Sequence, residues 1–582
     1  MGPDISDGFE QTYWADFEDV RLRFAELVSQ DRAAFDAAFA KAVRLFDPKR
    51  LVAGAEVLQQ RGELDGWGAF AAGAALLALD RPAAALAFLS HPAIIGSPRP
   101  KFALYRARAL AALGDFAAAR ERLEACLATD PAQAEAEALR ASILQIQTLR
   151  AEVSREPDWP CVRRLLALYL EVSARGEAHA LFRRALDLAP AIHKPDYLDM
   201  RMALEFGLGL DIGADEAAVL IDQVLTLAPS QVELRALRYA FTLQAEAPKG
   251  RKTKPRPAEH LTQWRYYRAI GDHRAGRLEE AVGGFGRLAD EHRRNLEIRG
   301  QLCASVGAYV LSRSPAPRRL PRAPKVFNVL PFSDELDLLE IRLAEMADWV
   351  DAFVICEASF TFAGAPKSLH FLENAHRFAR YADKIVHVPV TFPDLLQGHW
   401  ARDFYQRDMA IGALAQICSD QDLVLITDAD EIVNRRAVQD FDGDFALLRM
   451  PLNRYFLNYR RAGDPGGRAP PAGAIWRAKH LARFGLSHAR FYLSRRGADW
   501  PSINEAGWHF SSLGKAAQIA GKHRNYAHQE RENELHSADK VEMLLRDLRR
   551  GVIESGWRRA EIDDTFPAYI REHANELAER IL

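Results

Sequence analysis

The chain has no uncharged apolar stretch long enough to cross a bilayer anywhere in its 582 residues. Its first twenty residues carry Asp4, Asp7, Glu10, Asp16, Glu18 and Asp19, and lack the basic start and apolar run of a secretory signal. Without signal or anchor, a cytoplasmic location is the expectation. Cysteine is scarce: Cys126, Cys161, Cys303, Cys356 and Cys418 are widely scattered, odd in number and form no Cys-x-x-Cys. That pattern supports neither a disulfide framework nor a zinc site and predicts reduced core thiols. Neither sign of charge dominates, with 77 Lys and Arg against 79 Asp and Glu and a net charge of −2, so nothing in the balance favours nucleic acid. What is present, 48% hydrophobic and 27% charged residues over this length, predicts a globular protein of two or three domains.

The hydrophobic period changes once along the chain. From about residue 12 to 312, Ala, Leu, Arg and Glu recur with apolar spacing of three and four, the pattern of successive amphipathic helices. A unit repeats within it: Leu110 to Arg120 around Gly114, then Leu123, Cys126, Leu127 and Asp130-Pro131. Blurred copies follow at Arg175-Gly176, Ala180, Phe182, Ala185-Leu186 and Ala189-Pro190, at Val224 to Pro229, and at Gly276 to Ala281. Helix, Gly turn, helix and Pro stop resemble tetratricopeptide-type repeats, which stack into an all-α solenoid with a concave face. The basic, Pro-rich run Glu246 to Pro257 reads as an exposed loop or a phosphate contact, and Ser314 to Lys325, with four prolines, as the domain linker. The expected division is therefore 1–313, 314–325 and 326–582.

Beyond the linker, strands are predicted at Val326–Phe332, Val350–Cys356, Lys384–Val390 and Asp422–Thr427, with helices at Asp334–Ala347 and Asp403–Cys418. This alternation predicts an α/β sheet with parallel strands. The strand Leu423, Val424, Leu425, Ile426 runs into the carboxylates Asp428, Asp430 and Glu431. Open α/β sheets bind ligands at the carboxyl ends of their strands, and Asp428 and Asp430 can turn toward one hard cation, Mg²⁺ or Mn²⁺, that neutralises a diphosphate. The same residues also suit an Asp-rich turn that merely ends a strand.

Six blocks in order carry a resemblance to a known family: Phe332 to Leu343, Val350 to Ser359, Gly364 to Phe371, Trp400 to Asp408, Asp428 to Ile432, and Gly507 to Ser511. Residues 325 to 540 resemble glycosyltransferase family 17, the group containing the β-1,4-mannosyl-glycoprotein 4-β-N-acetylglucosaminyltransferases. The resemblance implies a metal-assisted, inverting transferase with a GT-A-type, Rossmann-like domain, using a nucleotide-sugar donor such as UDP-GlcNAc and a glycan or protein acceptor. The animal enzymes are membrane-anchored, whereas here helical repeats stand where anchor and stem would be, so their acceptor is not carried over. The repeats are instead expected to recruit acceptor or a protein partner.

By resemblance Asp428-Ala-Asp430 is the Asp-x-Asp motif, with Asp430 the first choice of metal ligand, Asp428 reaching metal, ribose or sugar, and His509 a late histidine on the same ion. Glu431 is either a supporting acid or simply the next residue of the turn. An inverting transfer needs a carboxylate base; Glu505 is a candidate, with Asp403 and Asp408 behind it. For the donor, Glu357, Phe332 and Asp334 follow strand ends where a nucleotide docks or where a carboxylate merely caps. Arg402 and Arg407 suit a bidentate grip on phosphate, and Lys367 is a weaker candidate.

Other signals fail on context. Phe206 to Gly213 has no preceding strand and is no dinucleotide loop; Asp440 to Asp444 is no calcium loop; His523, His528 and His536 read as a solvated face. A haloacid-dehalogenase-type phosphatase also has Asp-x-Asp after a strand, but there the motif opens the domain. The alternative from another class is a non-catalytic repeat scaffold with a degenerate transferase half.

Overall fold

The computed structural model describes residues 16–45, 47–155, 159–192, 214–227, 232–243, 258–315, 322–439, 441, 443–462, 469, 471–496, 501–525 and 534–582. The Glu246 to Pro257 run, Phe206 to Gly213, Pro229, Asp440 and His528 lie outside them. No described helix is long and apolar enough to cross a membrane.

Two compact units divide the chain, one within Asp7–Tyr267 and one within Arg268–Leu582. The first is helical throughout its described residues. The repeat unit read from the sequence is a pair of helices, Pro100–Ala112 and Phe116–Thr129. Gly114 makes the turn at φ 84°, Asp115 caps the second helix by accepting from the Ala118 amide, and Leu123 and Cys126 are buried between neighbours. In the blurred second copy the left-handed turn residue is Ser173, and Gly176 lies inside the first turn of the Arg175–Ile192 helix. The glycine there marked the helix start and not the turn.

The second unit holds the sheets. Among the described residues its main sheet has seven strands in the order β10-β6-β9-β4-β1-β2-β3, with β1 Val326–Phe332, β2 Ala352–Ala358, β3 Ile385–Val390, β4 Leu423–Ile426, β6 Phe445–Arg449, β9 Pro471–Arg477 and β10 Ser502–Ile503. β1 to β4 are mutually parallel, as their apolar, helix-separated runs predict, but β9 enters antiparallel between β4 and β6, so the sheet is mixed. A second sheet orders β12-β8-β7-β11-β5, with β5 Glu431–Val433, β7 Leu452–Arg454, β8 Tyr459–Arg461, β11 Gly507–Ser511 and β12 Trp557–Arg559.

The chain runs outward from β1 through β2 to β3 and then returns to place β4 on the other side of β1. Strand order thus reverses between β1 and β4, whose carboxyl ends leave the sheet side by side, with Val329 paired to Ile426. Such a reversal opens a crevice where ligands bind in parallel sheets. The core beneath it packs Leu338, Leu339, Leu343 and Met346 of the Leu336–Met346 helix against Leu330, Phe353, Ile355 and Leu425.

Compactness and composition divide the chain differently. The helical hairpin Leu278–Glu291 and Leu296–Leu311 belongs to the sheet-bearing unit. Asp290 accepts from His399, Arg299 lies over the Trp400 ring at 4.5 Å, and Gly307 meets Gly485 so closely that a Cβ would sit 3.0 Å from the Gly485 Cα. The hairpin therefore braces the His399–Asp408 helix. At the end of the Pro-rich segment, Arg322 is pinned by both guanidinium nitrogens to buried Asp422.

Candidate active site

The loop between β4 and β5, Thr427 to Asp430, lies at the β1/β4 switch point and is held by a buried arginine. Arg342 comes from the Leu336–Met346 helix, on the same face as Leu338 and Met346, and is fully buried. Its Nη1 donates to Asn328 Oδ1 at 2.6 Å and Thr427 Oγ1 at 3.0 Å. Its Nη2 donates to the carbonyls of Asp428 at 2.5 Å, Ala429 at 3.2 Å and Glu431 at 2.7 Å. One side chain thereby fixes three peptide units of the acidic turn. Burial lowers its pKa to about 10, against the pull of Glu431, Asp430 and Asp428.

The three carboxylates have different surroundings. Asp428 Oδ1 accepts from Arg407 Nη2 and Arg490 Nη1, each at 2.8 Å, and its side chain is 35% exposed. Desolvation alone would raise this carboxyl, but Arg490 and Arg407 overcome it and hold it well below the usual range. Glu431 is buried, accepting from the Asp428 amide at 2.7 Å and from Arg490 Nη2 at 2.6 Å. Burial, with Asp428 and Asp430 beside it, pushes its carboxyl up against the pull of Arg490. Asp430 Oδ2 accepts from Lys522 Nζ at 2.8 Å, and its Oδ1 is 3.7 Å from His509 Nε2. Here too burial is outweighed, by Lys522 and His509, and the carboxyl is lowered.

His509 reaches Asp430 because β11 pairs antiparallel with β5, setting His509 opposite Glu431 and Trp508 opposite Ile432. Gly507 opens this pairing at φ 155°, where any Cβ would lie 2.0 Å from the Ile432 carbonyl oxygen. Beside the site, Glu335 follows β1, lies 3.5 Å from Lys522 Nζ, and is raised by desolvation in spite of that lysine.

The other expected residues have varied surroundings. Glu505 stands at φ 52° in an exposed turn before the Gly507 end of β11. Asp403 accepts from Arg407 at 3.2 Å. Buried Asp408 caps the Leu486–Arg496 helix, its Oδ1 accepting from the Ser487 amide at 2.7 Å. It thereby anchors the helix that carries Arg490. Fully buried Glu357 accepts from the Phe371 amide at 2.8 Å and pairs with His387 at 3.1 Å, which makes it a cap on the His370–Glu373 turn. Phe332 is core, while its carbonyl, with that of Cys356, accepts from Gln406 and ties β1 to β2. Asp334 is exposed at the end of β1. Arg402 donates to the Phe362 carbonyl at 2.8 Å beside Gly364, and Lys367 lies 4.0 Å from Glu357. Of the expected set, the structure brings together Asp403, Arg407, Asp428, Asp430, Glu431 and His509.

Arg342, Arg490, Lys522 and Glu335 are the residues that sequence reasoning passed over. Arg342 had a signal, a lone charge spaced four from Leu338 and Met346 on a buried helix face. Arg490 and Lys522 lie 59 and 92 residues from their carboxylate partners, with no local pattern to mark them.

Asp408 carries a pH prediction. Burial raises its carboxyl to about 7, and its Oδ2 has no hydrogen-bond partner among the described residues. Between its unfolded and folded values the native state keeps a proton that the unfolded chain releases, so wild-type stability falls as pH rises from about 4 to 7. Asp408→Asn lacks this term. Urea melts at several pH values are expected to show the variant gaining on wild type across that window, by at most about 1.4 kcal/mol per pH unit, and no further above it. A constant difference from pH 4 to 8 would contradict the assignment.

Residues 302–547 match the family model described as glycosyltransferase family 17. The matched stretch lies within the second unit. The family 17 segment includes Arg342, the acidic loop, Arg490, His509 and Lys522. The chain is 35% identical over 130 residues to the β-1,4-mannosyl-glycoprotein 4-β-N-acetylglucosaminyltransferases of Rattus norvegicus and Homo sapiens. That alignment covers 21% of this chain and 24% of each relative, so the match spans about a quarter of their length. Among solved structures, the P58(IPK) TPR domain is 11% identical, covering 51% of this chain and 89% of its own, with a TM-score of 0.19. Yeast Tom70 is 15% identical, covering 48% and 66%, also with a TM-score of 0.19. Scores that low add nothing to the repeat pattern seen in the helices themselves.

Proposed function

We propose that the chain is a nucleotide-sugar-dependent glycosyltransferase whose site is the Asp428–Glu431 loop, with a GT-A-type domain, inversion at the anomeric carbon, and UDP-GlcNAc as the first donor to test. The observation that carries this reading is the position of Asp430 and His509 at the β1/β4 switch point, inside the family 17 segment.

Among the described residues no three His, Cys, Asp or Glu side chains converge to hold a metal ion. The donor set still fits a divalent ion of the Mg²⁺ or Mn²⁺ kind, which takes one or two protein ligands and completes its shell with phosphate and water. Asp430 Oδ1 and His509 Nε2 are the ligands in our reading. Asp428, held by two guanidinium groups, is left to the donor's ribose or sugar. When bound, such an ion supplies Lewis-acid stabilisation of the diphosphate.

For the base we propose Glu335 in place of Glu505, Asp403, Asp408 and Glu431. Burial makes its carboxyl more basic, and it lies beside the Asp430 and Lys522 pair. Glu335→Gln is expected to lower kcat by roughly 10²–10⁴-fold and leave UDP affinity within a few-fold, as measured by steady-state kinetics and calorimetry. An unchanged kcat would remove Glu335 from this role.

A ligand that binds the native state raises its melting temperature. A thermal-shift screen of nucleotide sugars with and without Mn²⁺ should raise that of the wild type and not that of Asp430→Ala. The helical repeats, in this reading, recruit acceptor or a protein partner. A chain trimmed to 268–582 is expected to keep donor binding and lose acceptor affinity. One trimmed to 320–582 loses the hairpin that braces the His399–Asp408 helix and is expected to unfold. Unchanged acceptor KM in the first would contradict recruitment.

A further inference from the structure

The cations around the acidic loop differ in what engages their donors. Arg342 is fully buried and bonded to Asn328, Thr427 and three loop carbonyls. Arg407 donates to Asp403, Asp428 and Ser487. Arg490 donates to Asp428, Glu431 and, through two nitrogens, the Ala472 carbonyl. Each of these three is held by several contacts to the fold.

Lys522 is different. Its side chain is 26% exposed and comes from the Ala516–Asn525 helix, outside the sheets. An ammonium has three donors that turn freely on a flexible stem. Here one meets Asp430 Oδ2 at 2.8 Å, and the charge lies 3.5 Å from Glu335 Oε1. Its partner Asp430 is the carboxylate 3.7 Å from His509, so Lys522 stands at the atoms around which a donor's diphosphate would gather.

We propose that Lys522 is the diphosphate-binding cation of the site, pairing with Asp430 and Glu335 when no donor is present and turning its ammonium to the phosphate oxygens when one binds. This rests on the glycosyltransferase reading. The ammonium remains protonated throughout: as the bond from the anomeric carbon to the diphosphate breaks, its electron pair stays with the departing nucleoside diphosphate, whose added charge the ammonium faces. The acceptor oxygen forms the new bond and gives its proton to the base. Lys522 thus holds Asp430 in competition with any divalent ion there, so removing its charge weakens diphosphate binding without weakening the ion.

The test uses the full chain, with UDP and Mn²⁺ as separate calorimetric probes, on wild type, Lys522→Gln and Lys522→Arg. Lys522→Gln is expected to bind UDP about 10- to 100-fold more weakly, the loss of a charge-assisted hydrogen bond, and to bind Mn²⁺ alone as tightly as wild type or tighter. Lys522→Arg should recover most of the UDP affinity. Independently of any variant, UDP should protect Lys522 of the wild type from reductive methylation, read by mass spectrometry. If wild type binds UDP but Lys522→Gln binds it equally well, or if UDP leaves methylation of Lys522 unchanged, the proposal is overturned and the glycosyltransferase reading stands. If wild type binds neither UDP nor any nucleotide sugar, both fall together.

Discussion

Replacing Arg342 by methionine is expected to destabilise the sheet-bearing unit by on the order of 3–5 kcal/mol, the usual cost of removing one partner from a buried charged network. Methionine approximates the length of the side chain and none of its donors. The carbonyls of Asp428, Ala429 and Glu431 and the side chains of Asn328 and Thr427 would lose their partner inside a closed core. Each buried acceptor left unsatisfied carries a desolvation cost of about 1–3 kcal/mol, so the loop should rearrange to reach water. Activity would be lost even in molecules that stay folded, because the carboxylates on that loop would no longer hold position. Chemical denaturation with turnover measured on the folded fraction checks both effects. Wild-type stability in Arg342→Met would mean that the loop holds its shape without the arginine.

Asp430→Ala should do the reverse, with a small effect on stability and a large one on chemistry. The native carboxylate is buried yet kept ionised by Lys522 and His509. A charge retained at that cost, in a crevice at a strand reversal, is more consistent with a site than with packing. Its loss is expected to lower kcat by roughly 10²–10³-fold, comparable to removing one preorganised stabilising group. The melting temperature should move by no more than a few degrees, since Lys522 is 26% exposed and can turn to water. Lys522→Gln in the same background should then have a smaller effect than in wild type, because the two residues share one interaction.

The parts of this structure legible in the sequence were those set by local chemistry. The helix Leu336–Met346, the strands β1 to β4 and the turn at Gly114 follow from period, apolar runs and a glycine at positive φ, and their ends fall within a few residues of expectation. The acidic loop was legible because a strand ending in carboxylates is unusual, and His509 because its block matched a family. The antiparallel β9 and the hairpin before the Pro-rich segment were not. β9 has the same apolar look as its parallel neighbours, and that hairpin has the same helical period as the repeats while packing on the sheet domain.

The site residues divide on the same line. Asp430 and Asp428 could be named, but the cations that decide their charge state arrive from distant helices by tertiary packing, which spacing does not reveal. Glu357 and Asp408 are buried carboxylates that accept from amides at helix starts, and such a group has the same sequence appearance as one facing a ligand. Glu505 lies in an exposed turn before β11, a placement that its nearness to His509 along the chain does not reveal.

The most direct test is release of UDP from UDP-GlcNAc and other UDP-sugars by the full chain with Mn²⁺, set against Asp430→Ala at equal folded concentration. Measurable turnover on at least one UDP-sugar is expected in wild type, with a loss of about 10²-fold or more in the variant. Equal turnover in the two proteins, or none in wild type across the common nucleotide sugars, would contradict it and favour a repeat scaffold with an inactive transferase half.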